Sequence, residues 1–176
     1  RGLKLTPLQF GGMQERGIRP GTENVAGAVG LAEAFDRAQD GLTAEAARLI
    51  PLRDRLISGL LARVPKTRLN GHATRRLPNN ANLSFLDVEG EALTLYLDAA
   101  GIETSTGSAC TSAALEPSHV ILALGLPYEA AHGSLRFTLG RSTTKEDVDY
   151  VLETLPPLVA KLRAISPVRV DEKYFM

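Results

Sequence analysis

Apolar positions recur along the chain at two spacings, and these divide it into helical and extended stretches. Across residues 22–39, Val25, Val29, Ala32 and Phe35 keep the three-to-four spacing of an amphipathic helix, entered at Gly21-Thr22 and ended by Gly41. A second helical pattern covers residues 43–64 through Leu49, Leu52, Leu56, Leu60 and Val64. Its regular part is expected after Pro51, because a proline inside a helix removes a backbone hydrogen bond and crowds the preceding turn. "TRLN" and "NANLSFLDV" read as short strands, the second with Leu83 and Phe85 on one face and polar neighbours on the other. Residues 89–100 are helical again through Ala92, Leu93, Tyr96, Leu97 and Ala100, with Gly101 placed for a left-handed cap. Residues 105–114 show no period and predict a loop, followed by a short helix over 117–124 that Gly125 closes. "SLRFTLG" alternates as a strand. Thr143 with Glu146 three residues on then forms a capping box for a long helix carrying Val148, Val151, Leu152, Leu155, Val159 and Leu162, bent at Pro156-Pro157. The tail over 166–176 has no period and reads as loosely held. Strands interleaved with helices predict an α/β sandwich, a small sheet with helices on one face, over roughly residues 41–165.

Composition narrows the class. An apolar fraction of 44% and a charged fraction of 23% belong to a globular chain with a core, not to a disordered or fibrous one. Lys and Arg together number 20, as do Asp and Glu, so charge alone gives no reason to expect nucleic acid or an acidic membrane surface as a partner. One cysteine cannot form an internal disulfide, and no stretch reaches the roughly 20 apolar residues of a membrane span or has the layout of a signal peptide. The default location is the cytoplasm. The chain opens at Arg1, without an initiator Met, directly on the strand-like "LKLTPLQFGGMQERG", a beginning expected of a fragment.

Three stretches carry candidate chemistry. Cys110 sits among Gly107, Ser108, Ala109, Thr111 and Ser112, which offer no bulk to enclose a sulfur and suit an exposed loop on which a thiol can react. The alternative is the small buried hydrophobe that free cysteines commonly are. A hydrolase relay would pair Cys110 with His72, His119 or His132 and an acid. A zinc site is disfavoured, because one Cys and three scattered His lack paired ligand spacing. Arg136 lies in a strand pattern between Leu135 and Phe137, facing either solvent or a cleft where its planar fork takes a carboxylate, with Arg141 as a rival. In "RPGTEN", residues 19–24, Pro-Gly leads into a helix whose first amides attract anions, and Thr22 adds a hydroxyl donor. The plain alternative is Thr22 as an ordinary N-cap.

Together these stretches resemble the cysteine desulfurases of the class V aminotransferase group, over nearly the whole chain. "GGMQERGIRPGTENVAGAVG" is similar to the family's GGGQE-R-G-x-R-x-GT-EN segment, with Met13 in place of its third glycine. "STGSACTSAALEPSHVILALGL" is similar to its S-S-G-S-A-C-T-S loop followed by E-P-S-H-V-L, with Thr106 for the second Ser and Ala113-Ala114 for Gly-Ser. "RRLPNNANLSF", "EGEALTLYLDAAGI" and "SLRFTLGRSTTKEDVDYV" resemble the flanking segments, and the long loop resembles the housekeeping, iron–sulfur-assembly subgroup. The resemblance implies the small C-terminal domain of a fold-type I pyridoxal-phosphate enzyme. Residues 1–21 would end the large cofactor domain, 22–40 form a connecting helix, 41–165 the small domain and 166–176 a tail.

It implies further that Cys110 is the nucleophile, taking sulfur from L-cysteine bound on pyridoxal phosphate to leave L-alanine and a Cys110 persulfide. It makes Arg136 the clamp for the substrate carboxylate, favouring it over Arg141. Thr22 becomes the residue that reaches the cofactor phosphate of the other subunit, hence a homodimer. A sulfur-acceptor or iron–sulfur scaffold protein is the implied partner. The family's anchoring lysine follows a Ser-x-His run, and none of Lys4, Lys66, Lys145, Lys161 or Lys173 stands in one. Nor is there a counterpart of the Asp on the pyridine nitrogen or of the His on the ring, so this polypeptide alone is expected to be inactive. Rival readings are a related lyase or transaminase of the same fold, such as a selenocysteine lyase, and a non-catalytic docking or dimerisation module.

Overall fold

In a computed structural model of the chain, residues 2–106, 116–167, 169 and 171 are described. They fall into two compact units, Arg1–Leu42 and Thr43–Met176. In the first, Gln14–Gly17 forms a 3-10 turn in which Glu15, Arg16 and Gly17 all have positive φ, at 47°, 58° and 76°. Helix α1 follows, Val25–Arg63, and both Gly41 and Pro51 lie inside it. This corrects the expectation of two helices parted at Gly41, the second over 43–64 and regular only after Pro51. A glycine costs a helix about 1 kcal/mol and a proline about 3. Against that, Leu49, Arg53, Leu56, Ile57 and Leu60 bury one side of α1, and each leucine so buried contributes about 2 kcal/mol. The helix entry also differs from expectation. Asn24 Oδ1 accepts the Gly27 N–H at 2.9 Å, so Asn24, not Thr22, is the capping residue. The stripe read from the sequence is apolar but uncovered: Val25, Val29 and Phe35 are each about two-thirds exposed.

The second unit is built on a four-stranded antiparallel sheet of β1 (Thr67–Leu69), β2 (Asn80–Phe85), β3 (Ser105–Thr106) and β4 (Ser134–Thr138), in the order β1-β2-β4-β3. Alternation in β2 and β4 sends Ala81, Leu83, Phe85, Leu135 and Phe137 to one face, where all are buried. That face packs on Leu56 and Leu60 of α1, on Leu93 and Leu97 of α2 (Gly90–Ala99), and on Val148, Leu152, Leu155 and Val159 of the last helix. Helices α3 (His119–Leu122) and α4 (Tyr128–His132) enclose a smaller cluster of Leu86, Ile121, Leu126, Ala130 and Ala131. Only α3 was readable from the sequence, because the five residues of α4 are too few to show a period.

Local details shift two further expectations. The stretch from Ser105, expected as loop, begins with two residues paired to β4, an edge pairing that hydrophobic spacing cannot reveal. Helix α5, Lys145–Ile165, runs through both Pro156 and Pro157, and its capping box is Thr144 with Asp147, one residue later than Thr143 with Glu146. Thr144 Oγ1 accepts the Asp147 N–H at 3.2 Å while Asp147 Oδ2 accepts the Thr144 N–H at 2.8 Å. Thr143 Oγ1 instead accepts the Gly140 N–H at 2.9 Å, closing the turn after β4. Gly101 and Gly125 close α2 and α3 at φ 77° and 83°, the left-handed caps the pattern predicts.

Close backbone approach ties α2 to the start of β4. A Cβ at Gly133 would stand 2.2 Å from the Phe85 carbonyl oxygen, and one at Gly90 would stand 2.8 Å from that of His132. The tail expected to be loosely held falls mostly outside the described residues.

Candidate functional site

The second face of the sheet is polar because the residues alternating with the core are Asn80, Asn82 and Ser84 on β2 and Ser134, Arg136 and Thr138 on β4. Antiparallel register sets Asn82 opposite Arg136 on one side and Ser105 opposite Arg136 on the other. Residues directly opposed in a sheet share a face, so Asn82, Arg136 and Ser105 form a row across three strands. Arg136 is exposed, and its guanidinium has no hydrogen bond or ion pair to another described residue. An unengaged planar fork of this kind suits a carboxylate, which it binds through two parallel charge-assisted hydrogen bonds.

Asn82 is oriented from behind. Asn70 Nδ2 donates to Asn82 Oδ1 at 2.6 Å and to Ser84 Oγ at 2.8 Å, and the Asn70 backbone N–H donates to Asn82 O at 2.9 Å. Asn70 is buried, and its own Oδ1 has no partner among the described residues. Ser105 Oγ donates to Thr106 O at 3.0 Å. Neither Asn82 nor Ser105 was singled out from the sequence. The alternation of "NANLSF" marked Asn82 as outward, but only strand pairing makes it a neighbour of Arg136, over fifty positions away.

The rival Arg141 lies in the turn after β4. There its charge helps to hold the Glu45 carboxyl below the usual carboxylate range, an effect due first to the hydrogen bond from Arg48. Arg48 also donates to Thr143 O at 2.7 Å and Gly140 O at 2.9 Å, fixing that turn to α1.

Cys110 lies outside the described residues. Thr106 and Glu116, on either side of the undescribed segment, line one cleft together with Ser118, His132 and Ser134. The described histidines have local contacts. His72 Nδ1 accepts the N–H groups of Thr74 and Arg75 at 3.1 and 3.0 Å, a turn closure. His132 packs edge-on against Tyr128 with ring centres 4.8 Å apart, and no described carboxylate bonds to any of the three. Among the described residues no group of His, Cys, Asp and Glu is arranged to hold a metal ion. No described helix is long and apolar enough to cross a membrane.

Thr22 belongs to the first unit. Arg19 Nη1 donates to Gly21 O at 3.0 Å and Thr22 O at 3.1 Å, and the Gly21 N–H donates to Gln14 Oε1 at 3.3 Å, which fixes the backbone at Thr22. Asn24 caps α1, so Thr22 has no capping role, and its exposed hydroxyl is placed to donate to an acceptor such as a phosphate oxygen. Three of the described lysines have partners of their own. Lys66 pairs with Asp87 at 3.4 Å, Lys145 with Asp149 at 3.6 Å, and Lys161 lies 4.5 Å over the Tyr96 ring. Taken separately, the Thr22 hydroxyl is a donor that suits a phosphate oxygen and the Arg136 fork is one that suits a carboxylate.

Residues 4–151 match the family described as Aminotransferase class-V, and the chain belongs to that family. Among its relatives is the cysteine desulfurase IscS of Methanosarcina thermophila, 55% identical over 98% of this chain and 42% of the relative. Cysteine desulfurase 2 of Trichormus variabilis is 52% identical over 98% of this chain and 43% of the relative. The chain therefore spans less than half the length of these relatives. Of solved structures, a NifS-like protein superposes with a TM-score of 0.75 at 34% identity, covering 92% of this chain and 40% of that one. A NifS-like protein from Rickettsia africae superposes with a TM-score of 0.74 at 25% identity, covering 90% and 41%. The architecture is that of this family of pyridoxal-phosphate fold-type I enzymes.

Proposed function

We propose that the chain is the C-terminal portion of a cytoplasmic, homodimeric cysteine desulfurase that forms a persulfide on Cys110 and passes its sulfur to an iron–sulfur scaffold or other acceptor protein. The observation that carries this reading is the pairing of Ser105 with Arg136, which starts the Cys110 segment beside the free guanidinium. Arg136 receives the L-cysteine carboxylate, and Thr22 donates to the cofactor phosphate of the opposite subunit. The exposed Val25, Val29 and Phe35 support a further protein surface against that part of the molecule.

Bound pyridoxal phosphate supplies the electron sink that makes the substrate Cβ–S bond breakable. The Cys110 thiolate forms a bond to the substrate sulfur as the Cβ–S bond breaks. The bonding pair stays with carbon, which takes a proton and leaves as L-alanine. Residues 1–21 close the cofactor domain in this reading, 22–40 connect, and 41–165 form the small domain with its tail beyond. With the anchoring lysine elsewhere in the whole protein, this polypeptide by itself is inactive.

The test uses the full-length protein. Cys110→Ser is expected to lower alanine formation from L-cysteine at least about a hundredfold and to abolish alkylation-detected persulfide, because an alcohol is a poor nucleophile toward sulfur. Full alanine formation by that variant overturns the reading.

A further inference from the structure

We infer that Asn82 is a second recognition residue for the substrate carboxylate, donating a side-chain N–H beside the Arg136 fork, and that Asn70 positions it; this rests on the reading of Arg136 as the carboxylate clamp. Asn82 and Arg136 are directly opposed on β2 and β4 and share the open polar face. The Asn82 amide has a fixed sense: its Oδ1 is taken by Asn70 Nδ2 at 2.6 Å, so its two Nδ2 protons are left for other acceptors. Asn70 is held in place by its bonds to Ser84 Oγ and to the Asn82 backbone, and is itself 5% exposed.

On the far side of Arg136 the situation is reversed. The Ser105 hydroxyl proton is given to Thr106 O, so Ser105 presents an acceptor to the row, not a donor. A carboxylate on the guanidinium thus meets an additional donor on the β2 side and a lone pair on the β3 side, which fixes its roll about the Arg136 axis. An uncharged amide is the group this position requires. An acid there would occupy the guanidinium itself, and an apolar residue would remove one of the two acceptors of the Asn70 amide.

The experiment measures kcat and KM for L-cysteine in the cofactor-loaded full-length protein, together with calorimetric binding of L-alanine, which carries the carboxylate without the thiol. Asn82→Asp is nearly isosteric and preserves the acceptor that Asn70 uses, so folding is maintained while the donor is removed and Arg136 is neutralised. We expect it to raise KM and the alanine Kd at least about tenfold, the range for losing a hydrogen bond to a charged group, with kcat within about twofold. Asn82→Ala should raise both by about tenfold, and Asn70→Ala by about threefold through loss of orientation. Arg136→Ala is measured in parallel. If it raises KM and Asn82→Ala does not, the inference about Asn82 is overturned and the clamp stands. If Arg136→Ala changes neither constant, the clamp itself fails and the inference with it.

Discussion

Asn24 Oδ1 accepts the Gly27 N–H at 2.9 Å, and this one bond removes Thr22 from the capping of α1. The two residues thus take separate tasks, one structural and one open to a ligand. Asn24→Ala is expected to cost about 1 kcal/mol of stability, read from urea unfolding. Thr22→Val should leave unfolding unchanged and release pyridoxal phosphate more readily, with an apparent Kd about tenfold higher in equilibrium dialysis. A Thr22→Val variant that is destabilised but retains its cofactor would reverse the assignment.

Gly133 has no space for a side chain, since a Cβ would lie 2.2 Å from the Phe85 carbonyl oxygen and 2.9 Å from that of Val88. Both obstacles are backbone and cannot rotate away. Gly133→Ala should therefore destabilise the protein by about 1–3 kcal/mol, the range for overpacking, whereas Gly30→Ala, in open space within α1, should be neutral or slightly stabilising. Equal midpoints for the two variants in denaturant unfolding would contradict the geometry.

Arg163 joins two loops from the end of α5. Its Nε donates to Leu86 O at 2.9 Å and its Nη2 to Lys66 O at 3.2 Å, next to left-handed residues Lys66 and Asp87 at φ 55° and 61°. Burial, partly offset by Asp87, holds its guanidinium below the ordinary arginine value, so it is a charge kept in a partly dry site by the carbonyls it binds. Arg163→Ala should cost about 1–3 kcal/mol, because both carbonyls lose a charged donor. Circular dichroism melts of the variant check this.

The capping box at α5 predicts a pH dependence. Asp147 lies below the usual carboxylate value because the Thr144 backbone N–H, and then its hydroxyl, donate to the ionised form. A carboxyl whose folded value is depressed adds stability that is present above its unfolded value and lost as pH falls through the folded one. The urea midpoint should therefore drop below about pH 4, the region of the unfolded aspartate value. Thr144→Ala, which removes the hydroxyl donor and the N-cap acceptor, should shrink that drop and lower the midpoint at neutral pH. A drop of equal size in both proteins would show that Asp147 does not contribute.

Much of the second unit could be read from spacing. The alternation of "NANLSFLDV" and "SLRFTLG" set β2 and β4 and sent Leu83, Phe85, Leu135 and Phe137 inward, since a period of two leaves no other face for them. Gly101 and Gly125 marked helix ends because a left-handed cap favours a residue without a side chain. Gly41 and Pro51 misled for the same kind of reason in reverse: each weakens a helix locally, while burial along α1 is decided by its neighbours in space. Thr143 and Thr144 are alike to any local rule, and only the turn geometry after β4 gave the capping role to the second.

The candidate site divides along the same line. The residue types of "TSTGSACTS", "SLRFTLG" and "RPGTEN" are local properties, and they were enough to nominate Cys110, Arg136 and Thr22 from the sequence alone. Which residues stand beside Arg136 is a matter of register with strands far from it in the sequence, Asn82 on β2 and Ser105 on β3. Side-chain chemistry carries no record of that register until the apolar face is buried and the hydrogen-bond ladder of β2, β4 and β3 closes. That closure brings Asn82 and Ser105 to the arginine, and it gives Asn70, a buried amide without an apparent task in the sequence, its position behind Asn82.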